Sequence, residues 1–316
     1  MRIASTLAVL ALFFLSHDAR AQTLVKIGVA QSSIGTLPLE VAERNGFFAA
    51  EGIAIETYNF RGGAPTVQAL ASRSIDICVC AGDHAVRLRS RGLPAKIIAG
   101  LTERHGYALL ALSASDIMNL ADLRGGTVGI TSPGSLTDNS IRYAIAEIGM
   151  NPDRDVTLAS IGVGLAMRAA VDGGSVDAGM FTTPDVQAAI ADAGKYRIVH
   201  DFRDLQYTAL VLIALETWLG NNAETARAFL RAVGRAQDLL HDDGEALREA
   251  LRDMYPALNA PTVEQLAGDV PESLASGGIV SEEGYRTMIS MLSATDPELK
   301  KVSFTDVVSA AYLPAR

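Results

Sequence analysis

Cysteine and metal-ligand motifs are nearly absent from this chain of 316 residues. Its two cysteines, Cys78 and Cys80, are separated by one residue, so in a strand they lie on one face and are poorly placed for an unstrained disulfide. We therefore expect two small buried hydrophobic residues there. No Cys/His cluster has metal-ligand spacing, and the hydrolase motifs G-x-S-x-G and H-E-x-x-H are missing as well. These absences predict a chain without a disulfide framework, a bound metal or a cofactor.

Long apolar runs are missing after residue 21, so no later segment predicts a membrane span. The N-terminus has a basic start, an apolar run at 7–15 and the small-x-small sequence ARA at 19–21, which is the pattern of a cleaved secretory signal peptide. The apolar run is much shorter than the ~20 residues that cross a bilayer. We therefore predict a signal peptide at 1–21 and a mature, periplasmic, monomeric chain that begins at Gln22.

Basic residues are in the minority, with 27 Lys and Arg against 36 Asp and Glu. Removal of residues 1–21 takes away two arginines and one aspartate, which leaves 25 basic and 35 acidic residues and a net charge of −10. This balance argues against nucleic acid and anionic membrane surfaces as partners. It does not restrict the charge of a small ligand, because the field inside a pocket is set locally.

The sequence does contain a repeat of itself at a shift of 101 residues. KIGVAQSSIG, from residue 26, falls on TVGITSPGSL, and SIDICVCAGD, from residue 74, falls on SVDAGMFTTP. In the same register Gly63 falls on Gly164. Three matches in one register indicate two copies of one structural unit, and the period is too long for a solenoid. We therefore predict two lobes.

Each copy has the pattern of alternating strands and helices. In the first copy the predicted elements are strands at 24–30, 53–60 and 75–80 and helices at 36–48 and 64–72. The second copy repeats this pattern over 127–181. A βαβαβ order predicts an α/β fold with parallel sheets and right-handed crossovers.

Two apolar, strand-like segments lie outside the copies, at 107–113 and 207–215, and we predict that they connect the lobes. The tail from Ala223 has the periodicity of an amphipathic helix, which we expect to pack on the first lobe. The predicted division is a signal peptide at 1–21, a first lobe of 22–106 plus 214–316, and a second lobe of 107–213 with the hinge strands.

Four stretches together resemble a known family. They are LPLEVAERNGFFAAEGIAIE from Leu37, the pair Gly62-Gly63, SIDICVCAG from Ser74 and GITSPGSLTDNSIRYAIAEIGMNP from Gly129. The chain is similar to the substrate-binding proteins of nitrate/taurine/alkanesulfonate-type ABC importers over nearly its whole mature length. The resemblance implies the type II periplasmic binding protein fold: two lobes, each a mostly parallel sheet flanked by helices, with two crossing hinge strands. It also implies a receptor that closes on a small solute and delivers it to a membrane permease, without fixing the solute.

The hydroxyl-rich loop TSPGS at 131–135 is a candidate binding loop because it joins a predicted strand to a predicted helix. Ligands of open α/β sheets lie at the carboxyl ends of strands, and a helix N-terminus offers unpaired N–H groups. One hydroxyl, from Ser135 or Thr137, is enough for a helix cap worth about 1 kcal/mol. Together with Thr131 and Ser132 the loop has four, so we predict that it also binds ligand.

The repeat places matching loops on both lobes, facing one cleft. The predicted ligand-binding residues are Gln31, Ser32, Ser33, Arg61, Gly62, Gly63, Gly82, Asp83, His84, Ser132, Gly134, Ser135, Thr137, Gly164, Phe181, Thr182 and Thr183.

Four of these residues bear on the chemistry of the ligand, each with a structural alternative. Arg61 would grip a carboxylate or sulfonate through two hydrogen bonds, or lie on the surface. Asp83 and His84 would contact a ligand nitrogen, or Asp83 would cap a helix that starts at His84. Phe181 would stack on a ring, or lie in the core. On balance the sequence favours an organic anion such as a sulfonate or carboxylate.

An exported enzyme and a pyrimidine- or heterocycle-binding member of the same fold are the alternatives. His84 and His105 lie near the predicted cleft and leave a general base open, but glycine and hydroxyl groups suit capture by hydrogen bonds better than acid–base chemistry. The effector domain of a transcription regulator shares the fold. The predicted signal peptide and the lack of a preceding DNA-binding segment argue against that function.

We predict that the exported chain begins at Gln22, because the small residues at 19–21 follow an apolar run of signal-peptide length. N-terminal sequencing of the protein recovered from the periplasm of a Gram-negative host measures the start. A recovered chain that still begins at Met1 would contradict the prediction.

Overall fold

The computed structural model of the protein describes residues 22–192 and 194–315. The predicted signal peptide at 1–21 lies outside the described residues. Within those two ranges, no helix combines the length and the hydropathy needed to cross a bilayer.

The described residues form ten strands and thirteen α-helices. The strands are β1 (Thr23–Val29), β2 (Ile53–Asn59), β3 (Ile77–Cys80), β4 (Ala95–Arg104), β5 (Tyr107–Leu112), β6 (Thr127–Ile130), β7 (Thr157–Ser160), β8 (Ala178–Thr182), β9 (Tyr196–Asp201) and β10 (Gln206–Leu215). The helices are α1 (Leu37–Arg44), α2 (Phe47–Ala50), α3 (Gly63–Ala71), α4 (Asp83–Ser90), α5 (Leu136–Glu147), α6 (Leu165–Asp172), α7 (Asp185–Ile190), α8 (Glu216–Asn221), α9 (Ala223–Asp242), α10 (Gly244–Met254), α11 (Ala260–Ser273), α12 (Glu282–Thr295) and α13 (Phe304–Val307).

The first sheet has the strand order β2-β1-β3-β10-β4. β1 pairs in parallel with β2 and β3, whereas β10 is antiparallel to β3 and β4. β3 is apolar and buried over its whole length because its two faces border different cores. Ile77 and Val79 face a core shared with α1 and α9, whereas Cys78 and Cys80 face one shared with α3 and α4. We call this sheet with its helices lobe 1.

The second sheet has the order β7-β6-β8-β5-β9 and repeats the same topology. With its helices it forms lobe 2. β3 and β8 begin 101 residues apart, at Ile77 and Ala178, and β4 and β9 begin 101 residues apart, at Ala95 and Tyr196. The structural repeat therefore continues past the predicted end of the second copy at residue 181.

The last strand of each copy belongs to the sheet of the other copy. β5 follows β4 of lobe 1 but lies between β8 and β9, and β10 follows β9 of lobe 2 but lies between β3 and β4. The chain crosses between lobes at 105–106 and again at 202–205. The two predicted connections are thus the exchanged strands themselves, and the two-lobed fold with two crossing strands is confirmed. The numerical borders of the lobes stay a prediction.

The C-terminal tail packs on lobe 1, as its periodicity predicted. α9 lies against α1 and α2 and stacks Phe229 on Phe48, with ring centroids 5.0 Å apart. Leu230, Val233 and Leu240 are buried on the same face of α9. Farther along the tail, α12 packs against both β10 of lobe 1 and α5 of lobe 2.

Two local predictions are wrong. Cys78 and Cys80 form a disulfide instead of remaining unpaired, because their Cα atoms are 5.7 Å apart, which is within the span of about 4.4–6.8 Å that a disulfide bridges. Both side chains are buried, as expected. The helix predicted at 36–48 is interrupted, because Gly46 takes a left-handed φ of 68° between α1 and α2.

His105 lies in the first crossing and contacts the second crossing and lobe 2 through ring packing and hydrogen bonds. The ring is 1% exposed and packs on Tyr107, Phe202 and Tyr207, with centroids 5.7, 5.0 and 5.2 Å away. The backbone N–H of Tyr107 donates to Nδ1 at 3.3 Å. Nε2 therefore carries the proton and donates to Ser140 Oγ of α5, 2.7 Å away. His105 thus links both crossings to lobe 2 as a neutral ring.

We predict that protonation of His105 destabilises the fold in acid. Burial lowers the pKa of His105 to about 3, against 6.5 for a free histidine. As the pH falls, His105 therefore takes up a proton in the unfolded chain but not in the native protein. The stabilisation of the native state that neutral His105 provides is complete above pH 6.5 and is lost as the pH falls toward 3. Between pH 6.5 and 4.5 this amounts to about 2–3 kcal/mol of unfolding free energy.

Urea unfolding at pH 6.5 and pH 4.5 measures the loss. In His105→Gln, which keeps an N–H donor for Ser140 but does not titrate, the decrease between the two pH values should be smaller by about that amount. Equal decreases in the two proteins would show that His105 does not carry this pH dependence.

Candidate functional site

A cleft of about 420 Å³ lies between the lobes, at the carboxyl ends of the strands of both sheets. On the side of lobe 1 it is lined by the segments that follow β1, β2 and β3. On the side of lobe 2 it is lined by the segments that follow β6 and β8. This is the position at which open α/β sheets bind ligands.

The structure brings seven of the predicted site residues together in this cleft: Gln31, Ser33, Gly63, His84, Ser135, Thr182 and Thr183. The other ten lie outside its lining: Ser32, Arg61, Gly62, Gly82, Asp83, Ser132, Gly134, Thr137, Gly164 and Phe181.

The hydroxyl-rich loop does more than cap α5. Ser135 stands at the N-cap, but within the described part of the chain its hydroxyl does not accept from the first turn of the helix. Ser135 Oγ lies 2.6 Å from Ser132 Oγ and accepts from the backbone N–H of Ala64 in lobe 1, at 3.4 Å. The Asp138 carboxylate accepts from Gly134 N–H instead, at 2.7 Å. Ser135 therefore faces both the cleft and the opposite lobe.

Thr137 holds the same loop in place. Thr137 is fully buried, and its hydroxyl oxygen accepts from Thr131 N–H at 2.9 Å. That bond holds the end of β6 against the start of α5. Of the four hydroxyl residues, Thr131 and Ser135 line the cleft.

The glycine pair lets the two lobes approach each other closely. A Cβ atom on Gly62 would lie 2.7 Å from Ser132 Oγ, and its φ of 113° excludes most side chains. A Cβ atom on Gly63 would lie 2.1 Å from His84 Nε2. Gly62 is therefore needed for the contact between lobes, and Gly63 leaves the space that the His84 ring occupies.

Two residues that line the cleft from opposite lobes each carry a buried polar atom that lacks a partner in the described part of the chain. His84 is 3% exposed and Gln187 is 6% exposed, and both line the cleft. His84 Nε2 and Gln187 Oε1 have no hydrogen-bond partner among the residues that the structure describes. Burial lowers the pKa of His84, the Asp83 carboxylate raises it and the Arg87 guanidinium lowers it. The imidazole is thus neutral at neutral pH, so its Nε2 is able to donate or accept a hydrogen bond.

Asp83 joins the lobes instead of contacting the cleft. Its carboxylate is fully buried and accepts from Asn139 Nδ2 of α5 at 2.7 Å. Arg87 donates to Asn139 Oδ1 at 3.0 Å. The neighbouring Gly82 packs on Thr208, and its N–H donates to the Thr208 carbonyl at 3.1 Å. These contacts position His84 at the start of α4.

Four other predicted site residues lie outside the lining of the cleft: Phe181, Arg61, Ser32 and Gly164. Phe181 is 2% exposed and packs edge-on against Tyr196 in the core of lobe 2, with centroids 5.9 Å apart. Arg61 and Ser32 are exposed. Gly164 precedes α6 at the edge of lobe 2.

Sequence reasoning did not place several cleft residues in the site. Tyr107, the first residue of β5, lines the cleft together with Gln31. Gln187 lies in α7, where a polar residue within the apolar sequence Val-Gln-Ala-Ala-Ile was an available signal. α11 also lines the cleft, through Gln265, Leu266, Gly268, Asp269, Val270, Glu272 and Ser273. The repeat could not place α11, because it belongs to the unrepeated tail.

The charged side chains that line the cleft are half-buried or exposed, and each of its two arginines lies near a carboxylate. Among the described residues that line it, the charged ones are Arg104, Arg203, Asp204, Asp269 and Glu272. Arg203 donates to both carboxylate oxygens of Asp201, at 2.9 and 2.6 Å. Arg104 lies 3.8 Å from Glu272. The interior is therefore lined by hydroxyls, amides, a neutral imidazole and apolar groups.

Two lobes that enclose a cleft and are joined by two crossing strands define the type II periplasmic binding protein fold. The sequence profile of the NMT1/THI5-like family matches residues 34–246. The chain belongs to this family.

Three relatives bear on function. The chain is 25% identical to "Putative binding protein YtlA" of Bacillus subtilis, over 94% of this chain and 92% of the relative. It is 26% identical to a "Formylaminopyrimidine-binding protein" of Halalkalibacterium halodurans, over 72% of this chain and 69% of that protein. It is 25% identical to a "4-amino-5-hydroxymethyl-2-methylpyrimidine phosphate synthase" of Uromyces fabae, over 71% of this chain and 69% of that protein.

Solved structures share the fold. A protein of Bordetella bronchiseptica RB50 superposes with a TM-score of 0.84 at 26% identity, over 92% of this chain and 96% of that one. The alkanesulfonate-binding protein SsuA of Xanthomonas axonopodis pv. citri, bound to MOPS, superposes with a TM-score of 0.71 at 19% identity, over 93% and 96%.

We predict that Gly63→Ala abolishes or strongly weakens solute binding, by 10-fold or more. The added methyl group would lie 2.1 Å from His84 Nε2 and displace the ring of a residue that lines the cleft. Native mass spectrometry of the purified protein measures how much co-purifying solute each variant retains.

Gly220→Ala is the matched control, because Gly220 is exposed in α8 and an added Cβ atom there meets open space. It should retain solute like the unmodified chain. Full retention by Gly63→Ala would show that the position of His84 does not matter for binding.

Proposed function

We propose that the protein is the periplasmic solute-binding receptor of an ABC importer, which captures a small organic solute between its lobes and delivers it to the permease. The observation that carries the proposal is that His84 and Gln187 line one cleft from opposite lobes, while His84 Nε2 and Gln187 Oε1 are buried without a hydrogen-bond partner among the described residues. A buried polar atom without a partner costs free energy, which a bound solute or water recovers. A solute that bonds to both atoms would hold the lobes together.

Export to the periplasm is supported by the signal-peptide pattern at 1–21 and by the names of structural neighbours. These include the periplasmic aliphatic sulphonate binding protein SsuA of Escherichia coli and the periplasmic nitrate-binding protein NrtA of Synechocystis PCC 6803. The same neighbours support an importer permease as the partner.

The interior of the cleft favours a neutral, polar solute with donors and acceptors, such as a nitrogen heterocycle. Arg61, on which the expectation of an anion rested, is exposed and lies outside the lining. Arg203 already donates to Asp201, and Arg104 lies 3.8 Å from Glu272. The formylaminopyrimidine-binding relative agrees with this chemistry. The organic anion favoured by the sequence stays a prediction, to be tested beside the heterocycle.

We propose binding without catalysis. Of the two histidines in the lining, His105 has both ring nitrogens engaged in hydrogen bonds, so it is not available as a base. His84 is free to act, and the synthase named among the relatives makes an enzyme the alternative to test. A hydrogen bond from His84 Nε2 is sufficient for capture.

We predict that an aminopyrimidine raises the melting temperature of the protein more than an alkanesulfonate or an aromatic carboxylate, since ligands that bind the native state stabilise it. Thermal shift measures the ranking, and mass spectrometry identifies any solute that co-purifies. Gln187→Ala should weaken binding about 5- to 30-fold, the equivalent of about 1–2 kcal/mol for a buried hydrogen bond. The melting temperature without ligand should hardly change, because Oε1 has no protein partner to lose among the described residues.

Gln68→Ala is the control, because Gln68 is exposed on α3 and lies outside the cleft. Unchanged affinity in Gln187→Ala would remove the main support for the proposal. Conversion of the bound compound into a product would favour the enzyme.

A further inference from the structure

The internal repeat predicts two related contacts between the lobes, and one of them is made. In that contact the loop before α3 in lobe 1 meets the hydroxyl-rich loop before α5 in lobe 2. Ala64 N–H donates to Ser135 Oγ at 3.4 Å, and Gly62 lies against Ser132 and Ser135. This contact closes one side of the cleft.

The repeat predicts a second, related contact, in which the loop before α6 of lobe 2 would meet the loop after β1 of lobe 1. At the shift of 101 residues, Ala64 corresponds to Leu165 of lobe 2 and Ser135 to Ile34 of lobe 1. The hydrogen-bonded pair is thus replaced by two apolar side chains. Ile34 lies after β1 and lines the cleft.

The second contact is not made in this structure. Leu165, the first residue of α6, is 84% exposed. A Cβ atom on the adjacent Gly164 would have one neighbour within 4 Å among the described residues, Asp185 Oδ2 of the same lobe at 3.9 Å. Leu165 and Gly164 both lie outside the lining of the cleft in this structure, and burial of so exposed a leucine side chain would be favourable.

We infer that Leu165 is the residue that covers the open side of the cleft. When the lobes close further, Leu165 moves onto Ile34 and seals the cleft with an apolar contact, opposite the hydrogen-bonded contact of Ala64 and Ser135. The inference rests on the proposed capture of a solute between the lobes. A protein with two conformations populates the closed one in part before ligand binds, so closure is detectable without knowledge of the solute.

Cross-linking tests this contact. Leu165→Cys combined with Ile34→Cys is oxidised with diamide, which takes up the two thiol hydrogens as the disulfide forms. Disulfides form when Cα atoms come within about 4.4–6.8 Å. The expected result is an intramolecular 34–165 disulfide, identified by peptide mass mapping beside the native disulfide of Cys78 and Cys80. If Ile34→Cys does not fold, Ser33→Cys replaces it, because Ser33 also lines the cleft.

The control pair is Leu165→Cys with Leu24→Cys. Leu24 is 52% exposed and lies near the N-terminal end of β1, whereas Ile34 follows the C-terminal end of that strand. The 34–165 pair should cross-link at least 10-fold faster than the 24–165 pair. Equal rates would overturn the inference. They would leave the proposed receptor intact, because its thermal-shift and mass-spectrometric tests do not involve Leu165.

Discussion

The exchange of one strand between the two sheets is the constraint on which the rest of the structure depends. β10 completes the hydrogen bonding of β3 and β4, and β5 completes that of β8 and β9. Each lobe is therefore built around a strand that arrives from the other, and the lobes are joined by two short crossings. His105 in the first crossing packs on Phe202 in the second, with ring centroids 5.0 Å apart. Relative motion of the lobes is thereby concentrated at these crossings, while each sheet stays intact.

The cleft follows from this arrangement because the carboxyl ends of both sets of parallel strands face the crossings. The loops that leave those ends are short and rich in glycine and hydroxyl groups, so backbone and side chains come close without steric conflict. Two kinds of contact result. Asp83, Asn139 and Arg87 bond lobe to lobe outside the cleft, whereas His84 and Gln187 keep unsatisfied atoms inside it. The first kind sets where the lobes meet, and the second is the bonding capacity that the proposed solute would use.

Much of the fold could be predicted because the repeat and the apolar periodicity are properties of the chain alone. The three parallel strands of each sheet, the crossing strands and α9 follow from them, whereas β4 and β9 were not predicted. The side-chain directions do not. Phe181 lies in a strand with apolar residues on both faces, so the sequence gives no sign of which face it takes. Arg61 follows a strand end whose local turn decides whether it points inward. α11 is placed by tertiary packing of an unrepeated tail, and Cys78 and Cys80 pair because of a distance that alternation along a strand does not reveal.

The strand exchange also bears on the ancestry of the molecule. A chain that held a single copy of the repeat would carry the last strand at one end and an incomplete sheet at the other. Such a chain could pair its last strand and complete its sheet only by exchanging that strand with a second, identical chain, as domain-swapped dimers do. Such a half-length ancestor would be an obligate symmetric pair with its cleft on the twofold axis. Fusion of the two chains would then have freed Ala64 and Leu165, or Ser135 and Ile34, to become different residues.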